Sequence, residues 1–186
     1  MKILAIVGSP RPKGNTNYLV DQALEEASKH KAQVEKIDLC KYKVNPCLGH
    51  DDCSSFDSCT QKDDAKWILD KFLNTDGVIL ATPVYWYNVS AQMKAFLDRN
   101  YFPYKHDLKY KAKAVGLIVV ANTEGIEDTL HTLNQFVDWS FDIRKDRKFI
   151  VYGYADKLGE AYNKPNLVEE AKHLGKQMVA SLKDGD

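Results

Sequence analysis

Charge of one sign is what this chain lacks most plainly: 26 lysines and arginines balance 26 aspartates and glutamates across 186 residues. That balance argues against nucleic-acid or membrane-surface binding driven by bulk charge. It argues more mildly against an acidic electron shuttle that steers its partners with a strong field. Long hydrophobic runs are also missing, and none approaches the roughly 20 residues that span a bilayer. The first residues hold one lysine and a strand-like stretch, without an apolar signal core or a small-residue cleavage site. The expected location is therefore the cytoplasm, with no nucleic-acid and no membrane partner. Internal repeats, low-complexity segments and linkers are absent, so a single domain over residues 1–186 is expected, large enough to bury a core. Cysteine is sparse, with four in all. In a cytoplasmic domain these read as reduced thiols or metal ligands before disulfides.

What is present is a regular alternation. Apolar, β-branched runs of strand length occur at Lys2–Val7, Ala32–Leu39, Gly77–Thr82, Ala114–Ala121 and Lys148–Gly153. All but the second are continuously apolar, as in strands buried on both faces, and the second alternates like an edge strand. Helical stretches lie between them. "NYLVDQALEEASKH" sets Leu19, Ala23, Ala27 and His30 at turn spacing, and Asp63–Asn74 opens with two aspartates. Ser90 is an N-cap for "AQMKAFLDR", "EDTLHTLNQFVDW" follows the fourth strand, and Pro165 precedes the last helix. Five strand–helix units predict an α/β domain with a flavodoxin-like parallel sheet in order 2-1-3-4-5 and helices on both faces. In such sheets ligands bind beyond the carboxyl ends of the strands, near the switch point.

The loop after the first strand, "GSPRPKGNTN", opens a helix. A phosphate there would meet backbone N–H groups, the hydroxyls of Ser9 and Thr16, the amides of Asn15 and Asn17, and the Arg11 guanidinium. It is not a P-loop, because Gly14 is followed by Asn15-Thr16 and no Gly-Lys-Ser/Thr closes it. A plain N-capped turn is the alternative reading. After the third strand, Pro83 takes the chain out of the sheet, and Val84, Tyr85, Trp86 and Tyr87 follow at the ligand edge. Each ring alone suits a local core cap. Three in a row opposite a phosphate loop suit a flat aromatic cofactor.

These two stretches, "GSPRPKGNTNYL" and "TPVYWYNVSAQMKAFLDR", resemble the NAD(P)H-dependent FMN reductases and iron–sulfur flavoproteins, relatives of multimeric flavodoxin-type quinone reductases. The matching positions are Gly8 to Arg11, Gly14 to Thr16, Pro83 to Tyr85 and Lys94 to Arg99. The resemblance implies FMN as cofactor, NAD(P)H as electron donor, and a homodimer or homotetramer with the flavin at a subunit interface. It also implies that Ser9, Arg11, Asn15, Thr16 and Asn17 hold the FMN phosphate and that Pro83, Val84, Tyr85, Trp86 and Tyr87 line the flavin and ribityl chain. Asn122, Thr123 and Gly125 would approach the flavin ring edge. There "ANTEGIEDTL" departs from the glycine-richer loop common in the family.

All four cysteines fall in one segment, residues 40–62, which is long for a strand–helix connection. The iron–sulfur branch of the family carries Cys-x2-Cys-x2-Cys-x5-Cys here. This chain reads Cys47-x2-His50-x2-Cys53-x5-Cys59, with Cys40 outside the motif. Three readings stand open: an iron–sulfur cluster with an imidazole ligand, a tetrahedral zinc site, or a loop that binds no metal. Among the other histidines, His106 sits in a polar, aromatic insertion read as a solvated loop, and His30, His131 and His173 fall on helices. No catalytic acid or base is assigned, since the flavin itself accepts hydride. The function expected is transfer of electrons from NAD(P)H through FMN to a quinone, a small acceptor or a redox protein. A non-enzymatic electron carrier using a cluster at 47–59 is the rival, and a flavin-free binding domain the third reading.

Overall fold

The structure, a computed structural model, describes residues 1–184. The last two residues of the expected domain lie outside it. The elements run β1 (Lys2–Val7), α1 (Asn15–Lys29), β2 (Gln33–Asp38), α2 (Ala65–Leu73), β3 (Gly77–Pro83), α3 (Ala91–Arg99), α4 (Tyr101–Lys105), β4 (Ala114–Ala121), α5 (Ile126–Ser140), β5 (Lys148–Tyr154) and α6 (Pro165–Lys183). The five strands form one sheet in the order β2-β1-β3-β4-β5, and every pairing is parallel. The expected topology is therefore the one observed.

Burial follows the sequence pattern except in β5, expected to be buried on both faces and found instead as a half-exposed edge. β4 is buried along its whole length and β3 up to Pro83, whereas β2 alternates at its exposed end. β5 is the other edge and leaves Ile150, Tyr152 and Tyr154 open. Two apolar layers flank the sheet. One joins β1 and β4 side chains to Leu19, Val20 and Ala23 of α1 and Leu174 and Met178 of α6. The other gathers Ile68 and Phe72 of α2, Met93 and Phe96 of α3, and Leu133 and Val137 of α5. On the first layer α1 and α6 touch at the backbone: a Cβ built on Gly175 would stand 2.0 Å from the Ala23 carbonyl oxygen. Only glycine fits that crossing.

The element ends position the loops. In register, Val7 lies beside Asp38 on one side and Ala81 on the other, so the chain leaves β1 at the switch point of the sheet. Ser90 caps α3 as expected, its Oγ accepting from the Met93 N–H at 3.2 Å and donating to the Gly8 carbonyl. That side chain ties the third loop to the first. The insertion before β4 is not simply a loop, because Tyr101–Lys105 close a helical turn. Among the described residues, no helix is long and apolar enough to cross a membrane.

Candidate functional site

Beyond the carboxyl ends of the strands lies a cavity of about 310 Å³. Larger grooves of about 780 and 580 Å³ open elsewhere on the surface, away from the strand ends where parallel sheets bind ligands. The floor of the smaller cavity comes from the first loop, with Ser9, Arg11, Asn15 and Thr16. Its facing wall is Pro83, Val84, Tyr85 and Trp86, with Asn122 from the loop after β4. Asn17, Tyr87, Thr123 and Gly125 do not line it and act behind this surface.

Helix α1 begins after Gly14 without a side-chain cap and without an acidic residue in its first turn. Its first N–H groups have no intrahelical acceptor, so the end is polarised for an anion. The side chains around it differ in how far the protein already engages them. Thr16 is 2% exposed, lines the cavity, and its hydroxyl makes no hydrogen bond among the described residues. Arg11 is exposed and has no ion-pair partner there. The Ser9 hydroxyl is engaged within the loop, accepting from the Arg11 N–H and donating to the Arg11 carbonyl, both at 3.2 Å. Asn17 Nδ2 donates to that same carbonyl at 3.1 Å, while its buried Oδ1 finds no partner. A hydroxyl without a partner facing the cavity, a free guanidinium and an uncapped helix end together fit a phosphate monoester.

The Asn15 amide turns away from the cavity. Its Nδ2 donates to the carbonyls of Ala155 (3.2 Å) and Lys157 (2.9 Å), and its Oδ1 accepts from the Ala161 N–H (3.1 Å). These bonds pin the loop after β5, whose Ala155, Asp156 and Leu158 form a wall of the cavity. Sequence reasoning did not assign that wall, and its signal was the glycine and acids of "ADKLGE" after the fifth strand. Glu160 folds the loop by accepting from the Asp156 and Lys157 N–H groups at 2.8 and 3.0 Å. Lys164 first, then those two N–H groups, hold its carboxyl down to about 2. A carboxyl lowered by folding adds stability above its free value near 4.5, and this is lost as pH falls toward 2. Glu160→Gln is therefore expected to flatten acid unfolding between those values and to speed hydrogen exchange at the Asp156 and Lys157 amides. An acid-unfolding curve superimposable on the parent's would count against this role.

The third loop closes as a hairpin. Tyr85 and Asn88 exchange N–H···O bonds at 2.9 and 3.0 Å, and both residues between them are left-handed, Trp86 at φ +48° and Tyr87 at φ +58°. This is the conformation of a type I′ turn, which favours Asn-Gly. Placing Trp-Tyr in it costs on the order of 1–3 kcal/mol per residue. The Tyr87 hydroxyl donates to Glu124 at 2.6 Å. Gly125, at φ +84°, lets the two loops meet, because a Cβ there would be 2.8 Å from Val84 Cγ1 and 2.9 Å from Tyr87 Cα. Asn122 bends back to accept from the Thr123 N–H at 2.8 Å.

The cysteine segment forms a second, separate centre. Cys47, His50, Cys53 and Cys59 line one cavity of about 20 Å³ with Arg99 and Phe102, and Cys40 stands apart. Two sulfurs accept N–H bonds: Cys47 from Gly49 at 3.4 Å and Cys59 from Arg99 at 3.2 Å. Burial pushes the Cys53 thiol up, with the charges of Cys59 and Cys47 adding to it. The donor types suit a thiophilic metal. Among the described residues, however, no group of three or more histidines, cysteines or acids is arranged to hold an ion.

Beneath the segment, Arg99 pairs with Asp63 and donates to the Asn45 carbonyl at 3.2 Å. Burial works to raise the Asp63 carboxyl, but the Arg99 guanidinium and the Asn45 and Ala65 N–H groups outweigh it and hold the carboxyl low. Both ring nitrogens of His106 face carbonyl oxygens, those of Phe102 and Phe56, so this histidine anchors the segment from α4. Neither Arg99 nor His106 was singled out from the sequence for this role.

Three kinds of similarity bear on the site. An iron–sulfur flavoprotein of Methanocaldococcus jannaschii is 33% identical over 190 residues, covering 98% of this chain and 98% of the relative. An NAD(P)H:quinone oxidoreductase from Methanothermobacter marburgensis superimposes with a TM-score of 0.75 at 13% identity, over 95% of this chain and 96% of its own. An FMN-dependent NADH-azoreductase from Bacillus anthracis, solved in complex with FMN, gives 0.71 at 13% identity, over 96% and 100% of the two chains. At such identities the two structures establish the flavodoxin-like fold. Residues 1–145 match the sequence profile described as NADPH-dependent FMN reductase, and with it the chain belongs to that family.

Proposed function

We propose that this protein binds FMN and catalyses electron transfer from NAD(P)H to a quinone, another small acceptor or a redox protein. The observation that carries the reading is Thr16, a largely buried residue whose unpartnered hydroxyl opens to the cavity at the uncapped start of α1. Thr16, Arg11 and the first N–H groups of α1 hold the phosphate. Ser9 and Asn17 shape the loop that presents them, and Asn15 fixes the wall after β5. Pro83, Val84, Tyr85 and Trp86 flank the ring system with Asn122 at its edge, and Tyr87, Thr123 and Gly125 shape the two loops behind them. Bound FMN would supply the hydride chemistry, accepting from the reduced nicotinamide and releasing electrons to the acceptor. The exposed rings at Tyr85, Trp86, Tyr87 and Tyr104 are more than one small ligand covers, which supports a homodimer or homotetramer.

A second reading, an electron carrier with a metal centre at Cys47, His50, Cys53 and Cys59, is favoured by the N–H···S bonds on two of those sulfurs. One preparation separates the two. Protein purified without oxygen should carry one FMN per chain and oxidise NADPH when a quinone is supplied. Iron, sulfide and zinc are measured on the same sample. Bound FMN with no nicotinamide oxidation, together with stoichiometric iron and sulfide, would give the protein to the carrier reading.

A further inference from the structure

The two edges of the sheet are built differently, although each leaves one row of backbone groups without a strand partner. β2 carries Glu35 and Lys36 on its open stretch, tied to Lys71 and Asp21. Charges so placed discourage a further strand from adding. β5, "KFIVYGY", holds one charge, Lys148, and Asp138 of α5 draws it in at 2.7 Å. Neither a proline nor a positive φ interrupts residues 148–154.

Hydrogen-bond parity and exposure fall on the same residues of β5. The Ala155 N–H donates to the Ala121 carbonyl at 2.8 Å, so the odd-numbered residues bond to β4. Lys148, Ile150, Tyr152 and Tyr154 therefore turn their N–H and C=O groups outward. Their side chains share one face of the sheet, where α5 packs over β4 and leaves β5 bare. Ile150, Tyr152 and Tyr154 are 42, 54 and 48% exposed. An edge without blunting charges, flanked by an apolar row, is a template for one more strand.

A second copy supplies that strand with closed symmetry, because an antiparallel contact of β5 with itself is isologous. Two registers keep the bonding parity and pair the strand along most of its length, and charge selects between them. Centred on Tyr152, Ile150 of each copy faces Tyr154 of the other, and Lys148 faces Asp156. Arg147, which then comes level with Lys157, is buried and takes no part. Centred on Val151, Asp146 is brought toward Asp156 and Lys145 toward Lys157, like charges that oppose pairing. We propose that β5 is a self-association edge that joins two copies antiparallel about Tyr152 into one continuous sheet. β5 runs directly into the wall at Ala155, Asp156 and Leu158, so the contact also braces the cavity. The contact needs neither flavin nor nicotinamide and so goes beyond the proposed function.

Tyr152 is exposed, and Tyr152→Lys should keep the parent's far-UV circular dichroism. In sedimentation of flavin-free protein at micromolar concentration it should run at half the parent's mass, since two ammonium groups meet at the symmetry axis. A mass equal to the parent's overturns the proposal, and so does a monomeric parent. Oxidative cross-linking reads the register, because Cα atoms of a directly bonded antiparallel pair stand about 5.5 Å apart, within disulfide range. Tyr152→Cys should link two copies above the background set by the parent's four cysteines. Ile150→Cys should link only when combined with Tyr154→Cys. Linking by Ile150→Cys alone as readily as by Tyr152→Cys overturns the register. The Ile150, Tyr152 and Tyr154 amides should exchange more slowly as protein concentration rises. Exchange there that is independent of concentration, in a protein that still sediments as an oligomer, assigns the contact to another face. No readout uses FMN or NADPH, so failure here leaves the functional reading standing. Protein that pairs in this way yet takes up no FMN fails only that reading.

Discussion

Replacing Arg99 with leucine is expected to remove about 3–5 kcal/mol from the unfolding free energy, read as a fall in the urea midpoint. Arg99 is 1% exposed and the Asp63 carboxylate is fully buried against it. Leucine would leave that carboxylate without its main partner, and Cys59 and the Asn45 carbonyl would each lose a donor. The loss belongs to the broken pair and not to the intact one, because burying two charges offsets much of their attraction. Asp63→Leu with Arg99→Met is accordingly expected to recover part of the midpoint, the remainder being lost because the Asn45 and Ala65 N–H groups no longer have the carboxylate as acceptor. The pair also shapes acid sensitivity. Folding holds the Asp63 carboxyl below its free value of 3.8, so its contribution is full above that pH and lost as pH falls through the lower folded value. A single variant with the parent midpoint would show that the pair is not a keystone of the segment.

Thr16→Val is expected to weaken FMN binding about 10- to 100-fold while moving riboflavin binding by less than about 2-fold. The valine keeps the shape and deletes one hydrogen bond to a charged group, worth about 1.5–3 kcal/mol. The discrimination depends on choosing a residue whose side chain does nothing else. Asn17 fails that condition because its amide holds the Arg11 carbonyl, and Asn15 fails because its amide holds the loop after β5. Alanine at either is expected to weaken both ligands, through the loop. Calorimetric titration of the flavin-free protein with each ligand decides the matter, and equal losses for Thr16→Val would remove the phosphate assignment.

Which parts of this were legible in the sequence follows from what periodicity records. Strands buried on both faces show as unbroken apolar runs, and Lys2–Val7 and Ala114–Ala121 appear in the structure with the bounds expected of them. Helix starts announced by Ser90 and Pro165 were equally clear, since caps are local chemistry. Arg99 was read only as the end of a matching helix. Its role arises from Asp63, 36 positions away, and such pairing leaves no local trace. Asn15 is a similar case, with partners 140 or more positions distant. The left-handed Trp86-Tyr87 turn was hidden for the opposite reason: local preference argues against it, and tertiary contacts impose it. Tyr101–Lys105 looked like a loop because five residues with an internal proline carry too little pattern to register as a helix.

The backbone contact between Ala23 and Gly175 has a consequence for how the protein comes off the ribosome. Leu19, Val20, Ala23 and Ala27 of α1 are covered by α6, whose residues follow some 150 positions later. At roughly 5–20 residues per second, the stretch from Ala27 to Val179 takes on the order of 8–30 s to emerge. Throughout that time the first helix carries a bare apolar stripe, a target for chaperones that hold nascent chains. The Asn15 anchor for the loop at 155–161 is absent over nearly the same interval. On the proposed function, FMN could be enclosed only after the wall at 155–161 has emerged, and a ribosome stalled before residue 155 would present a chain without that wall.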